Sequence, residues 1–301
     1  MKPKHLLLLP LLCIACSKPT AAQPLQSPAD STALSEVVYT PADSAEVVSL
    51  LATEVEGDTV LYYARHFLGR PYVGHTLEVH DPEYLVVNLR ELDCTTLVET
   101  VLALAVTKAR GGTSFADYCR TLEQIRYRDG RRGDYTTRLH YYTWWKHDNE
   151  RKSLVRTVTG RPFTAPMAVS NTYMSQHPDR YAMLSAHPEF VPVIARMERA
   201  ENGRDGTYLP TAATGRGRAA LNMVGNGDII GIVKMQGGID ISHLGFAVWG
   251  SDNKLHLLNA SSLHKRVVEE PMTLQEYLQR QKRPGIQVLH PCLGAPAPAQ
   301  P

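Results

Sequence analysis

Ile241-Ser242-His243-Leu244-Gly245-Phe246-Ala247-Val248 and Leu255-His256-Leu257-Leu258-Asn259-Ala260-Ser261 are two apolar runs of strand length. Gly250-Ser251-Asp252 between them supplies turn residues. Two strands joined by so short a turn pair antiparallel. Asp228 to Lys234, after the turn signal Asn226-Gly227, reads as another strand, and Gly285 to His290 as a last one. Upstream the apolar period changes to that of helices. Val60, Leu61, Ala64, Phe67 and Leu68 share a helical face that ends at Gly69 and Pro71. Leu97, Val98, Val101, Leu102, Leu104 and Ala105 mark a second helix, stopped at Gly111-Gly112. Ser114 with Asp117 opens a third, and His187-Pro188 a fourth. Helices early and strands late predict an α+β fold, with N-terminal helices packed on a C-terminal antiparallel sheet.

The chain has 301 residues, 43% of them hydrophobic and 21% charged, with a net charge of +2. That balance fits a soluble globular chain and carries no nucleic-acid footprint. The local basic run Arg126, Arg128, Arg131 and Arg132 reads as a solvated face, with contact to an anionic substrate as the alternative. Lys2 and Lys4 precede an apolar run from Leu6 to Ala15, too short to span a bilayer and suited to an export signal. Ala15-Cys16 resembles a bacterial lipobox, which implies lipidation of Cys16, although Cys13 stands where Leu is usual. Cleavage near Ala21-Ala22 is the alternative, and export follows from either. Residues 17–45 are rich in Pro, Ala, Ser and Thr, with Pro28-Ala29-Asp30-Ser31 repeated at Pro41-Ala42-Asp43-Ser44. The organisation expected is a signal at 1–16, a flexible tether at 17–45, one domain at 46–292 and a disordered tail at 293–301.

Chemistry points first to Cys94. Asp93 is a good N-cap, so Cys94 opens a helix at the positive end of its dipole, where a thiolate is favoured. A cysteine nucleophile needs a base and a group that orients the base. The chain has 12 histidines, so position must select one. His243 interrupts an apolar strand, where an imidazole needs a reason. If Trp249 faces Asn253 across the turn, Asn259 falls directly opposite His243. The Asn259 amide then bonds Nδ1 and leaves Nε2 for Cys94. A loop one residue longer puts Ala260 there instead and turns Asn259 away. Tyr135 to Trp145 is dense in aromatics. Most read as core, with Tyr135 and Arg138 kept as candidates for a sugar or peptide cleft. Cys119 lies on an apolar helical face, and its pairing with Cys292 stays open. No metal-ligand spacing and no phosphate loop is present, so neither a metal nor a cofactor is expected.

Leu68-Gly69-Arg70-Pro71-Tyr72, followed by Asp93-Cys94-Thr95-Thr96-Leu97-Val98, resembles the start of NlpC-type cysteine hydrolases. Asn226-Gly227-Asp228-Ile229, Ser242-His243-Leu244-Gly245-Phe246 and Leu258-Asn259-Ala260-Ser261 resemble that family's Gly-Asp, His and third-residue strands. The resemblance implies a papain-like core with Cys94 as nucleophile, His243 as base and Asn259 as orienter. Tyr72, Thr95 and Ser242 become candidate oxyanion or substrate contacts. Thr95-Thr96 replaces the usual Ser-Gly, and Asn259 replaces the commoner His.

The gap from Cys94 to His243 is longer than in compact members. A mostly helical specificity insertion at about 112–224 would fill it. With the exported leader, this resembles the N-acetylmuramoyl-L-alanine amidase-like branch of Gram-negative bacteria. That implies a periplasmic, lipid-anchored monomer acting on peptidoglycan fragments. An endopeptidase cutting the stem peptide with the same three residues is the neighbouring reading. A tethered binding lipoprotein with a vestigial site is the reading from another class, and a general papain-like protease is a distant third.

Overall fold

The computed structural model describes residue 34 and residues 36–294. Cys16, the leader, most of the expected tether and the tail from 295 lie outside the described residues. Ordered structure begins earlier than the sequence reading placed it. Val37–Val38 (β1) pairs in parallel with Leu85–Val86 (β2), and Pro41–Ala52 forms the first helix, α1. Residues 41–45, read as tether, are therefore its first turns. Thr40 caps the Asp43 N–H, Asp43 answers to the Thr40 N–H, and Pro41 has no N–H to satisfy. Small polar residues that look like linker composition are here helix-start chemistry. Asp43 is fully buried, and its second oxygen accepts from the Leu89 N–H at 3.1 Å and Arg90 Nε at 3.4 Å. Burial alone would raise its carboxyl. Hydrogen bonds from Thr40 and Leu89 and the charge of Arg90 hold it below its ordinary value instead.

Helices α2 (Thr59–His66), α3 (Cys94–Ala109) and α4 (Phe115–Arg126) form where the apolar spacing predicts them. Helix α3 is buried all round from Leu97 to Val106 and apolar there except for Glu99 and Thr100, so it is the axis of the helical layer. Arg126 corrects the solvated-face reading: it is buried, with Nε 2.7 Å from Glu99 of α3 and Nη1 2.6 Å from the Val86 carbonyl. The segment read as the insertion, about 112–224, begins with α4 and carries more helix than strand. It holds α5 (Tyr142–Arg151), the short α6 (Tyr173–Gln176) and α7 (Ala182–Ala186), α8 (Phe190–Glu201) and the one-turn α9 (Thr211–Thr214). It also holds β3 (Val155–Thr157), β4 (Ala165–Ala168) and β5 (Asp205–Pro210). These three strands extend the C-terminal sheet, so the insertion is built onto the core instead of beside it.

The sheet runs β4-β5-β10-β6-β7-β8-β9, with β3 also on β10, and all its pairings are antiparallel. Its C-terminal strands are β6 (Ile229–Gln236), β7 (Ile239–Trp249), β8 (Leu255–Ser261), β9 (Arg266–Glu269) and β10 (Gly285–Pro291). Helix α10 (Leu274–Arg280) crosses between the last two. Alternation along β7 separates two cores. Leu244, Phe246 and Val248 pack with the helical layer, while Ala247 and Trp249 pack with Leu274, Tyr277 and Leu278.

The β7–β8 register differs from the expected one. Trp249 faces Leu255, not Asn253. The turn closes at Ser251-Asp252-Asn253 because Asn253 takes a left-handed conformation (φ 61°) and Gly250 N–H bonds the Lys254 carbonyl. The pairing is displaced by two residues, and an even displacement preserves the face. Continued along the strands, it puts Asn259 beside Gly245 and makes His243 its diagonal neighbour. A Cβ at Gly245 would lie 2.6 Å from the Leu258 carbonyl and 3.0 Å from Asn259 Cβ, so only glycine leaves this diagonal open.

Candidate active site

Cys94 is the first residue of α3 and is half-buried. Asp93 Oδ1 accepts the Thr95 and Thr96 N–H groups at 3.0 and 2.8 Å, and Thr96 Oγ1 accepts the Asp93 N–H at 2.9 Å. The cap is thus closed by a threonine where glutamate is usual. Among the described residues nothing accepts the Cys94 N–H, which stays available at the positive end of the helix. Pro71 and Val73 bond Leu92 on either side of a parallel bridge between Tyr72 and Leu92. This fixes Tyr72 next to the nucleophile. Burial, with the charges of Cys94 and Asp93, pushes the Tyr72 phenol up to about 12, so it remains a donor at neutral pH.

His243 Nε2 lies 2.8 Å from Asn259 Oδ1, and the Cys94 thiol shares a hydrogen bond with the same ring. The nitrogen roles are therefore reversed from those expected, with Nε2 on Asn259 and Nδ1 left for Cys94. Burial lowers the affinity of this imidazole for a proton. The Cys94 charge, hydrogen bonds with Cys94 and Asn259 and the Glu270 charge outweigh burial, so His243 sits above its ordinary value. Asn259 is fully buried and donates Nδ2 to Glu270 Oε1 at 3.0 Å. Glu270, also buried, meets His264 Nε2 through Oε2 at 3.1 Å. A line of contacts thus runs from Cys94 to a surface histidine whose side chain is 39% exposed.

Two cavities adjoin next to Cys94, sharing Thr95, Leu139 and His140, and Cys94 itself lines one of them. One, of about 740 Å³, is lined by Tyr72, Asp93 and the charged side chains Glu78, Glu99, Arg126 and Arg138. The other, of about 710 Å³, is lined by Cys94, Ser242, His243 and the aromatic rings of Tyr141, Tyr142, Trp145 and Tyr181. Of the sequence-predicted contacts, Tyr72, Thr95, Arg138 and Ser242 line the cleft. Tyr135 does not. It is fully buried beneath Arg138, whose guanidinium carbon is 4.8 Å from the ring centre, and it donates its hydroxyl to Glu78 at 3.1 Å. Both residues are buried, but the turn between them puts Arg138 on the cleft wall and Tyr135 behind it, and composition could not separate the two.

Sequence reasoning missed three residues. Glu270 is one of two acids before a proline, with no pattern to mark it. Glu78 stands in an irregular loop. His140 lines both cavities and donates Nε2–H to the Tyr135 carbonyl at 2.8 Å. Burial, with the charge of Arg138, holds it well below the ordinary histidine value. It is a neutral ring with Nδ1 as an acceptor. Cys119 and Cys292 are free thiols, so the disulfide left open by sequence is not formed. Among the described residues no group of three His, Cys, Asp or Glu side chains is placed to hold a metal.

No curated protein matches the chain significantly. Solved structures do. An N-acetylmuramoyl-L-alanine amidase from Bacteroides uniformis is 39% identical, covers 78% of this chain and 98% of its own, and superposes with a TM-score of 0.72. A Bacteroides fragilis protein, provisionally named a xylanase, is 38% identical over 76% of this chain and 99% of its own, with a TM-score of 0.71. Legionella pneumophila LPG0564 shares 20% identity over 83% of this chain and 93% of its own at a TM-score of 0.65, a likeness of fold. The model of the AmiA-like, N-acetylmuramoyl-L-alanine amidase-like family matches residues 62–286, a range that takes in the insertion. On that match and the 39% identity across the solved amidase, the chain belongs to the AmiA-like, N-acetylmuramoyl-L-alanine amidase-like family.

Proposed function

We propose that the protein is an exported cysteine amidase that hydrolyses the bond between the muramyl lactyl group and L-alanine in peptidoglycan or its fragments. The observation that carries this reading is the convergence of Cys94, His243 and Asn259, with Cys94 and His243 on the wall of one of two adjoining cavities and Asn259 buried behind them. The core is read as papain-like, of the NlpC type, and the chemistry as independent of metal. The Cys94 thiol gives its proton to His243 Nδ1, and the thiolate attacks the amide carbonyl, forming a C–S bond. The oxyanion is met by the free Cys94 N–H and the Tyr72 hydroxyl. The tetrahedral centre collapses, the C–N bond breaks, and the proton held by His243 passes to the departing amine. Water then attacks the thioester with His243 as base. The C–S bond breaks, the muramyl carboxylic acid leaves and Cys94 recovers its proton. Asn259 holds the ring by Nε2 throughout.

The family match and the named Bacteroides amidase support hydrolysis of this amide. A glycosidase reading would require two carboxyl groups flanking the scissile bond, where this chain places Cys94, His243 and Asn259. The leader supports export, and Ala15-Cys16 supports a lipid anchor holding a monomer in the periplasm. Defined muropeptides test the reaction. Release of an intact L-alanine-led peptide from the sugar, lost in Cys94→Ala, is the expected result. A cut inside the stem would replace amidase by endopeptidase. No product, together with slow alkylation of Cys94, would return the chain to a binding role.

A further inference from the structure

The proposed reaction orients the substrate in the cleft. The acyl carbon bonds to Cys94 while His243 protonates the departing nitrogen. Cys94 and His243 both line the aromatic cavity, and the charged one opens on the other side of Cys94, where Tyr72, Asp93 and Thr95 form its wall. The leaving amine, with the peptide behind it, therefore lies in the aromatic cavity. The acyl half stays on Cys94 and extends past Tyr72 and Thr95 into the charged cavity. On the amidase reading, on which this step rests, that half is the muramyl sugar with its lactyl arm.

The charged cavity holds an unsatisfied guanidinium. The Arg138 side chain is 7% exposed, and its nearest carboxylate oxygens, on Glu78 and Glu83, are both 3.5 Å away. Nε and Nη2 are buried against these carboxylates without a hydrogen bond, and Nη1, which has no partner among the described residues, is the end left to the cavity that Arg138 lines. Each carboxylate is instead held by a phenol: Tyr135 donates to Glu78 Oε1 at 3.1 Å, and Tyr127 to Glu83 Oε1 at 2.8 Å. Glu78 Oε2 has no partner among the described residues. The neighbouring Arg126–Glu99 pair is closed on itself at 2.7 Å. The wall thus offers N–H donors and a carboxylate acceptor side by side. A ligand carboxylate would meet Glu78 and Glu83, and a ligand ammonium would meet Arg138. A secondary amide offers one C=O and one N–H and no charge, so it fits both partners.

We propose that Arg138 and Glu78 form the subsite for the acetamido group of the muramyl sugar, Arg138 donating to its carbonyl and Glu78 accepting its N–H. The first peptide bond of the stem offers the same chemistry, but it lies on the His243 side of the scissile bond. Three substrates separate these sources: an N-acetylmuramoyl peptide, its counterpart with a free amine at C2 of the sugar, and N-acetylmuramoyl-L-alanine alone. The wild-type full chain should lose at least about tenfold in kcat/KM when the acetyl group is removed, the equivalent of one charge-assisted hydrogen bond. It should lose little when the stem is shortened. Glu78→Gln and Arg138→Gln should lower kcat/KM on the acetylated substrate, whereas on the de-acetylated one Arg138→Gln should bring no loss, because it removes the charge that meets the free amine. Glu78→Gln, in an irregular loop, is the variant least able to disturb folding. Equal losses on all substrates, or a loss that follows the stem peptide bond, would overturn the assignment. Acid quenching followed by mass analysis of the Cys94 peptide separates this failure from failure of the amidase reading. A muramyl adduct retains the amidase and leaves only the subsite at issue. A stem-peptide adduct overturns both.

Discussion

Replacing Glu270 by glutamine tests whether the site depends on the group behind Asn259. An amide side chain has one accepting and one donating end, and rotation exchanges them. Glu270 as a carboxylate only accepts, so it draws Asn259 Nδ2 to itself at 3.0 Å and leaves Oδ1 for His243 at 2.8 Å. Glutamine can present either end, and one of its two arrangements lets Asn259 turn and direct Nδ2 at His243. A hydrogen bond to a charged group contributes about 1.5–3 kcal/mol, against about 1 for a neutral pair. The difference, about 0.5–2 kcal/mol, corresponds to a fall of about 2- to 30-fold in kcat/KM. The pH profile should move as well. The Glu270 charge is one of the influences that raise His243, together with the charge and hydrogen bond of Cys94 and the bond to Asn259. A raised histidine keeps its proton to higher pH and loses it as pH rises through the folded value. Removing the charge should therefore shift the alkaline limb of kcat/KM to lower pH. The assay is release of L-alanine-led peptide from a muropeptide between pH 5 and 10, with a thermal melt to establish folding. A folded Glu270→Gln variant with an unchanged rate and an unmoved alkaline limb would refute the reasoning.

Three further outcomes follow from the geometry. Tyr72→Phe should lower kcat by about 10²-fold with KM little changed, the signature of a lost oxyanion donor in steady-state kinetics. An equal rise in KM would instead make Tyr72 a substrate contact. Arg126→Ala should destabilise the fold by about 3–5 kcal/mol by leaving Glu99 buried without its partner, whereas a denaturation midpoint near wild type would show that water replaces the guanidinium. Brief iodoacetamide treatment at neutral pH should label Cys94 in preference to Cys119, whose thiol is buried and pushed up to about 12. Peptide mapping that finds Cys119 modified first would contradict the active thiol.

The parts of the fold set by local chemistry were legible in the sequence. The caps at Asp93 and Ser114 form as read, because each is settled within three residues. His243 and Asn259 came together although the expected turn was two residues out, because side-chain alternation tolerates an even displacement. What escaped was set by distance in the chain. Nothing within ten residues of Arg126 indicates that Glu99 will bury it, and nothing near Glu270 points to Asn259. Strands β3 to β5 are short and lie at the far side of β10, so they carry little periodicity of their own. Tyr135 and Arg138 share one aromatic stretch, and only tertiary packing sends one inward and leaves the other on the cleft wall.

The buried carboxylate of Asp43 bears on where this protein can be cut. It holds the backbone of Leu89, four residues before the Asp93 cap, and it does so from a helix that starts at Pro41. The family match opens only at residue 62. A fragment trimmed to that boundary would keep every side chain in the cleft and lose the clasp on the segment that delivers Cys94. Shortening the chain for secretion or crystallisation should therefore stop ahead of Glu36, well before the boundary of the family match.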